Sequence, residues 1–345
     1  MIRAWLITAA IMSFLITWLP GSLIIKFLRK LKYSQTILDI GPAWHKEKQG
    51  TPTMGGIIFV ISITISALIC VLSCYFYFED SILIKDQKNI MLIRVGLGLF
   101  MALSYSLIGF IDDHIKVVKK RNLGLTSIQK LLLQFFVAGL YLFFLHIFKK
   151  IFFKESSTIF NIPFLGSYDF GFFYWTISSI MIVGMVNAVN LTDGIDGLNA
   201  SVTFFTGIFL MIIANVSGAV GLDILSACLV GGCFGFLIYN FYPAKVFMGD
   251  TGSLFLGGLI CAIIFGVDKP LLLVTSGLVY LVEMFSVMLQ VMYFKSTKGK
   301  RFFKMSPIHH HFEMSGWHEN KICLIFSLAA IVSGLISLLV ATCAM

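Results

Sequence analysis

Ten apolar runs, each close to the length of a membrane-spanning helix, leave this chain few folds to choose from. A helix needs about 20 apolar residues to cross the hydrocarbon core. The runs are Ala4–Phe27, Ile57–Phe78, Asn89–Ile111, Ile128–Phe148, Phe172–Val189, Ala200–Val216, Leu222–Tyr239, Ser253–Val267, Leu271–Phe294 and Ile322–Cys343. Lipid offers no hydrogen bonds, so a spanning segment must satisfy its own backbone, which a helix does. The expected fold is an all-α integral membrane protein with about ten transmembrane helices, one polytopic domain over residues 1–345. Charged residues make up 12% of the chain, against about 25% in a soluble domain. The first run is too long for a signal peptide, and Pro20-Gly21 is a poor cleavage site, so it reads as a retained span. The seven cysteines fall mostly within apolar runs without a CxxC pair, which implies packing and no disulfide framework.

Ten spans put both termini on one side and divide the loops into two sets. One set is Leu28–Gly56, Asp112–Ser127, Asn190–Asn199, Asn240–Gly252 and Lys295–Lys321; it holds sixteen Lys and Arg residues. The other set, with the termini, holds seven. The positive-inside rule makes the first set cytoplasmic and both termini periplasmic. The net charge of +9 sits largely in these loops, where it meets membrane lipid, and it is no sign of nucleic acid. Between Lys149 and Gly171, on the outward side, strand-like alternation near Ile159–Leu165 suggests a short hairpin.

Five aspartates lie at span ends in the cytoplasmic set: Asp112, Asp113, Asp193, Asp196 and Asp250. The orientation used only Lys and Arg, so their common side is an independent result. Charge beside lipid is costly and usually marks a site. Asp112-Asp113-His114-Ile115-Lys116 follows a span directly, and Asp112 and Lys116 fall on one helix face. Adjacent carboxylates need a compensating cation; a divalent metal would serve, with Lys116 holding a phosphate. The bland alternative is a solvated helix end that stops the span. In Asn190-Leu191-Thr192-Asp193-Gly194-Ile195-Asp196-Gly197, two glycines permit a sharp turn bracketed by two acids. It lacks the later ligands of a calcium loop, and a plain polar turn would not need both acids.

Phe247-Met248-Gly249-Asp250-Thr251-Gly252-Ser253 ends a loop and opens a span. A helix N-terminus with free N–H groups suits an anion, Asp250 is a hard ligand fit for Mg2+, and Phe247 could stack on a base. Asp250 could equally be the helix N-cap. Consecutive His309-His310-His311 cannot all face one metal, and hard acids nearby argue against zinc, so hydrogen bonds to phosphate or sugar suit them better. Lys46 to Gly56, with Lys48 and Thr53, suits a phosphate or polar ligand; it is no P-loop, and a lipid-contacting basic loop is its plain alternative. Glu283 and Gln290 share one face of the ninth span, and a buried Glu there implies a cavity.

Taken together, KxGTPTMGG from Lys48, DDxxK from Asp112, NLTDGxDGL from Asn190, FMGDxGSL from Phe247 and SPIHHHFE from Ser306 resemble the polyprenyl-phosphate N-acetylhexosamine-1-phosphate transferases. GTPTMGG and PIHHHFE are similar to the phospho-N-acetylmuramoyl-pentapeptide transferase branch in particular. The resemblance implies transfer of phospho-N-acetylmuramoyl-pentapeptide from its UDP conjugate to undecaprenyl phosphate, giving lipid I and UMP, at the cytoplasmic face of a bacterial inner membrane. It implies Mg2+ as cofactor on Asp250, and Asp112 and Asp113 orienting the lipid phosphate. It implies a uridine pocket of Lys48, Asp196 and Phe247, with Thr53, Asn190, Asp193 and Gly249 near ribose and diphosphate. His309, a catalytic candidate, with His310, His311 and Gln290, would face sugar, phosphates or peptide.

Rival expectations are the same chemistry on UDP-N-acetylglucosamine, a cation-coupled transporter, and a scaffold without chemistry. Transporter sites lie near the midplane on broken helices, whereas these acids lie at span ends. The oligomeric state stays open, a homodimer included.

Overall fold

The computed structural model describes residues 2–31, 48–77, 85–119, 123–153, 158–162 and 165–343. Lys46 and Glu47 of the first motif lie outside them, as does Phe78 at the end of the second run. Among the described residues, ten helices are long and apolar enough to cross a membrane. They are α1 (Ile2–Lys30), α2 (Gly56–Tyr77), α3 (Lys85–Val118), α4 (Ser127–Phe152), α5 (Phe172–Leu191), α6 (Leu198–Val216), α7 (Leu222–Asn240), α8 (Gly249–Gly266), α10 (Leu278–Ser296) and α12 (Glu319–Cys343). Two short helices, α9 (Leu272–Ser276) and α11 (Ile308–Glu313), lie on either side of α10. The chain is a multi-pass membrane protein in which all ten expected spans have a counterpart.

One span departs from expectation. The run Leu271–Phe294 reads as one helix, but the chain breaks at Gly277 into α9 and α10. Gly277 ends one helix and begins the next, and a Cβ there would collide with Met185 of α5. Glycine thus permits both the break and the close approach of α5. The hairpin is present as β1 (Ile159–Ile162) paired antiparallel with β2 (Gly166–Asp169), Phe160 opposite Tyr168. Phe160 packs on Tyr174 of α5 with ring centroids 4.7 Å apart.

Apolar burial drives little association inside lipid, because the tails are as apolar as the side chains. Helices associate there by close packing over small residues. The central helix α8 follows that rule: its span window is 83% buried, against 22% for α1. A Cβ at Gly109 of α3 would strike the Asp250 carbonyl, and one at Gly56 of α2 would strike Gly252. These contacts seat the start of α8 between the start of α2 and the end of α3. With 34 residues at about 1.5 Å each, α3 is about 50 Å long and runs past the membrane surface, as the sequence implies for Asp112 to Lys116.

Candidate active site

The site grows from the junction of α3 and α8. Glycine is required at position 249, where φ is +70° and a Cβ would lie 2.6 Å from Asp113 Oδ2 and 2.9 Å from Thr53 Oγ1. Asp250 and Thr251 follow in the first turn of α8, which has no side-chain cap of its own. Asp113 supplies it from α3. Its Oδ2 accepts from Thr251 N (2.9 Å) and Thr251 Oγ1 (2.8 Å), and its Oδ1 accepts from Asp250 N (3.2 Å). The free N–H groups expected at this N-terminus are therefore occupied at Asp250 and Thr251, and the anion they hold is Asp113. Asp250 is not the cap. A carboxylate at a helix N-terminus is favoured by the helix dipole.

Asp250 is left to its neighbours' cations. Its Oδ2 accepts from Lys116 Nζ (3.0 Å) and Lys130 Nζ (2.8 Å), and its Oδ1 accepts from Asn190 Nδ2 (2.8 Å). Lys116 also pairs with Asp112 at 2.6 Å, the i, i+4 contact the sequence implies, and lies 3.9 Å from Asp113. Asp112 Oδ1 accepts from Leu125 N (2.7 Å), which ties the α3–α4 connection to the cluster. One oxygen each from Asp112, Asp113 and Asp250 lie within 4.8 Å of one another. Two carboxylates that close repel by about 3–4 kcal/mol at an effective dielectric near 20. The donor set is all oxygen, which fits a hard divalent cation such as Mg2+ and does not favour zinc.

Lys130 is a site residue that sequence reading missed, because it was counted inside the fourth span. A signal was available. Thr126 and Gln129 form a capping box that starts α4 and puts Lys130 in its first turn, at the motif end.

A second charged centre lies beside the first. Lys48 pairs with Asp196 (2.7 Å) and Glu319 (2.6 Å). Glu319 Oε2 also accepts from Asp196 N (2.9 Å), and Asp196 Oδ2 accepts from Ala244 N (2.8 Å). Burial works against the Lys48 charge, but Glu319 and Asp196 outweigh it and raise the ammonium pKa. Lys48, Thr51, Asp196, Tyr242, Pro243, Ala244 and Glu319 line a cleft of about 220 Å³. Glu319 too was missed; an acid opening the last span on the motif side was its signal.

Asp193 sits between the two centres, half-buried. Burial, and then the carboxylates of Asp250, Asp113 and Asp196, push its pKa well above the usual carboxylate range. Phe247 is half-buried, and its backbone joins the Pro52–Gly55 segment: its N–H donates to Pro52 O, and its carbonyl accepts from Gly55 N.

The histidine motif is arranged otherwise than expected. His309 is fully buried against Glu283 of α10 and Gly194 and does not face an open site. His310 pairs with Glu313 at 2.5 Å, and His311 Nδ1 accepts from Lys304 N. Gln290 is spent on the backbone of Phe302 and Phe303, which donate to its oxygen at 3.1 and 2.9 Å. In this conformation Gln290 braces the segment before α11.

The described cysteines are free; Cys343 is exposed and the other six are buried.

Comparison with known proteins gives the family. Residues 95–267 match the model of glycosyl transferase family 4, and residues 48–60 match phospho-N-acetylmuramoyl-pentapeptide-transferase signature 1. The phospho-N-acetylmuramoyl-pentapeptide-transferase of Halalkalibacterium halodurans is 45% identical over 94% of this chain and 94% of its own. That of Caldicellulosiruptor bescii is 43% identical over 96% of each chain, and that of Listeria monocytogenes 42% identical over 97% of this chain and 98% of its own. The acid cluster, the glycine-bounded turn and the first signature thus sit in a chain that belongs to the phospho-N-acetylmuramoyl-pentapeptide-transferase family.

Proposed function

We propose that this chain transfers phospho-N-acetylmuramoyl-pentapeptide from UDP-N-acetylmuramoyl-pentapeptide to undecaprenyl phosphate, giving lipid I and UMP. The observation that carries the reading is the cluster of Asp112, Asp113 and Asp250 with Lys116 and Lys130, at the end of the bundle where the family's signature segment also lies. The excess of Lys and Arg in the loops of that end supports a cytoplasmic site with both termini in the periplasm. A soluble nucleotide and a lipid phosphate can both reach it there.

Asp250, with Asp112 and Asp113 beside it, would hold Mg2+, which neutralises charge on a diphosphate. Lys116 and Lys130 are near enough to shift from carboxylate to phosphate oxygens. Asp113 has the further task of fixing the first turn of α8, so its contribution to the chemistry acts largely through the position of Asp250. Asp112 orients the acceptor phosphate together with Lys116.

The lipid phosphate attacks the sugar-bearing phosphorus directly. One diphosphate P–O bond forms, the bond to UMP breaks, and no external energy source is needed. A phosphate monoester has a second pKa of about 6, so at pH 7 it is mostly a dianion and hardly needs a base. The Lys48 cleft, with Asp196 and Phe247, serves the uridine; Thr53, Asn190, Asp193 and Gly249 lie toward ribose and diphosphate. His310 and His311 serve the sugar or peptide. Replacing Asp250 with Asn should abolish UMP release in Mg2+ while the protein still folds; unimpaired turnover would sink the assignment. Trapping a phosphorylated Asp112 or Asp113 without acceptor lipid would overturn direct attack.

A further inference from the structure

Glu283 and His309 form a buried acid–base pair that the mechanism above does not use. Both side chains are 0% exposed. Glu283 belongs to the spanning helix α10, where an ionisable residue is expensive and is retained for a reason. His309 Nδ1 lies 3.1 Å from Glu283 Oε1, an ion-pair distance. The two groups are close without hydrogen-bond geometry: neither ring nitrogen and neither carboxylate oxygen completes a hydrogen bond with any described residue. Burying an acid and a base without further partners is poor value for stability, since an apolar pair fills the same volume without the desolvation cost.

The other edge of the ring shows what the pair is for. His309 Nε2 lies directly on Gly194, where any Cβ would collide with it. Gly194 occupies the turn between Asp193 and Asp196. Asp196 in turn holds Lys48 at 2.7 Å and accepts from Ala244 N at the cleft. A contact path therefore runs from α10 through the imidazole to the turn and on to the Lys48 cleft. Glu283 thus bounds the ring at its Nδ1 edge, 3.1 Å away, and Gly194 bounds it at its Nε2 edge.

We propose that Glu283 is a positioning residue for the nucleotide-sugar substrate: through Nδ1 of His309 it holds the imidazole against Gly194 and so sets the turn that carries Asp193 and Asp196. The proposal rests on the reading that this turn serves the nucleotide. Its substrate effect should therefore fall on one of the two substrates.

The test is steady-state kinetics of the purified full-length protein, with KM measured separately for UDP-N-acetylmuramoyl-pentapeptide and undecaprenyl phosphate. Glu283→Ala should raise KM for the nucleotide about tenfold, with kcat within about threefold and KM for the lipid unchanged. Glu283→Gln keeps a side chain of the same shape beside Nδ1 and should restore the nucleotide KM to within about threefold of the parent. Gly194→Ala pushes the same ring from the other side and should raise the same KM. The double variant Glu283→Ala/Gly194→Ala should be no worse than the worse single change, because both break one contact path. Glu283→Ala with an unchanged nucleotide KM overturns the proposal. So does a fall in every kinetic parameter together with a lower melting temperature, which would mark plain structural damage. If Gly194→Ala raises the nucleotide KM and Glu283→Ala does not, the turn's assignment stands and the positioning role fails. If Gly194→Ala acts on the lipid KM instead, the assignment itself fails and the proposal with it.

Discussion

The two ends of the bundle use charge differently. At the end opposite the motifs, two carboxylates have simple tasks. Lys149 of α4 pairs with Asp268, and Asp223 caps α7 by accepting from Gly221 N and Ile224 N. At the motif end, Asp112, Asp113 and Asp250 crowd around Lys116 and Lys130, and Asp193 adds a further carboxylate nearby. Folding alone gives no reason to assemble mutually repelling acids. The opposite end offers isolated charge contacts; the motif end gathers acids into a cluster that could hold a metal ion.

Substitutions can break that contrast, and the largest effect belongs to Asp250. Its change to Asn should cut UMP release by at least about 100-fold, while the protein still folds. Lys130→Ala follows, with a loss of about 10–100-fold in kcat/KM, although the sequence gives this lysine no motif. Asp113→Ala should differ in kind. It leaves the Asp250 and Thr251 N–H groups without their acceptor, so stability should fall by about 1–3 kcal/mol along with activity. An Asp113→Ala protein as stable as its parent would contradict the capping role.

Smaller effects separate the ends more finely. The Asp193 pKa is raised in the folded state, so ionising it costs stability as pH rises above its unfolded value near 3.9. Asp193→Asn should therefore stabilise the metal-free protein at pH 8, by about 2 °C in thermal melts, with the gain fading as pH falls toward 4. A loss of stability at pH 8 would mean that the carboxylate is compensated. The smallest effect belongs to the opposite end: Lys149→Ala removes a pair whose Asp268 side is 43% exposed, so stability should change by less than about 1 kcal/mol and transferase activity not at all.

Much of this contrast is legible in the sequence. The spans follow from apolar length alone, because lipid demands a self-satisfied backbone. Asp112 and Lys116 meet because helix period puts them on one face, and the hairpin follows its alternation. What escaped depends on tertiary contact. The break at Gly277 reflects the approach of Met185 from α5, which no local pattern announces. Asp113 caps a helix 137 residues away in sequence, so DDxxK could not reveal that one of its acids is spent on α8. Gln290 shares a helix face with Glu283, yet it ends on the backbone of Phe302 and Phe303 while Glu283 meets His309. Lys130 was hidden inside a counted span, and Glu319 lay in the last basic loop, outside every motif, although it opens α12.

The central claim is that the motif-end acids are assembled for a cation, with Asp250 as the principal ligand. A structure of the full-length protein grown with Mn2+ in place of Mg2+ tests it through the metal's anomalous signal. The account predicts a peak in contact with Asp250, with Lys116 or Lys130 drawn away from that carboxylate. A peak held elsewhere, with both lysines still on Asp250, would contradict it.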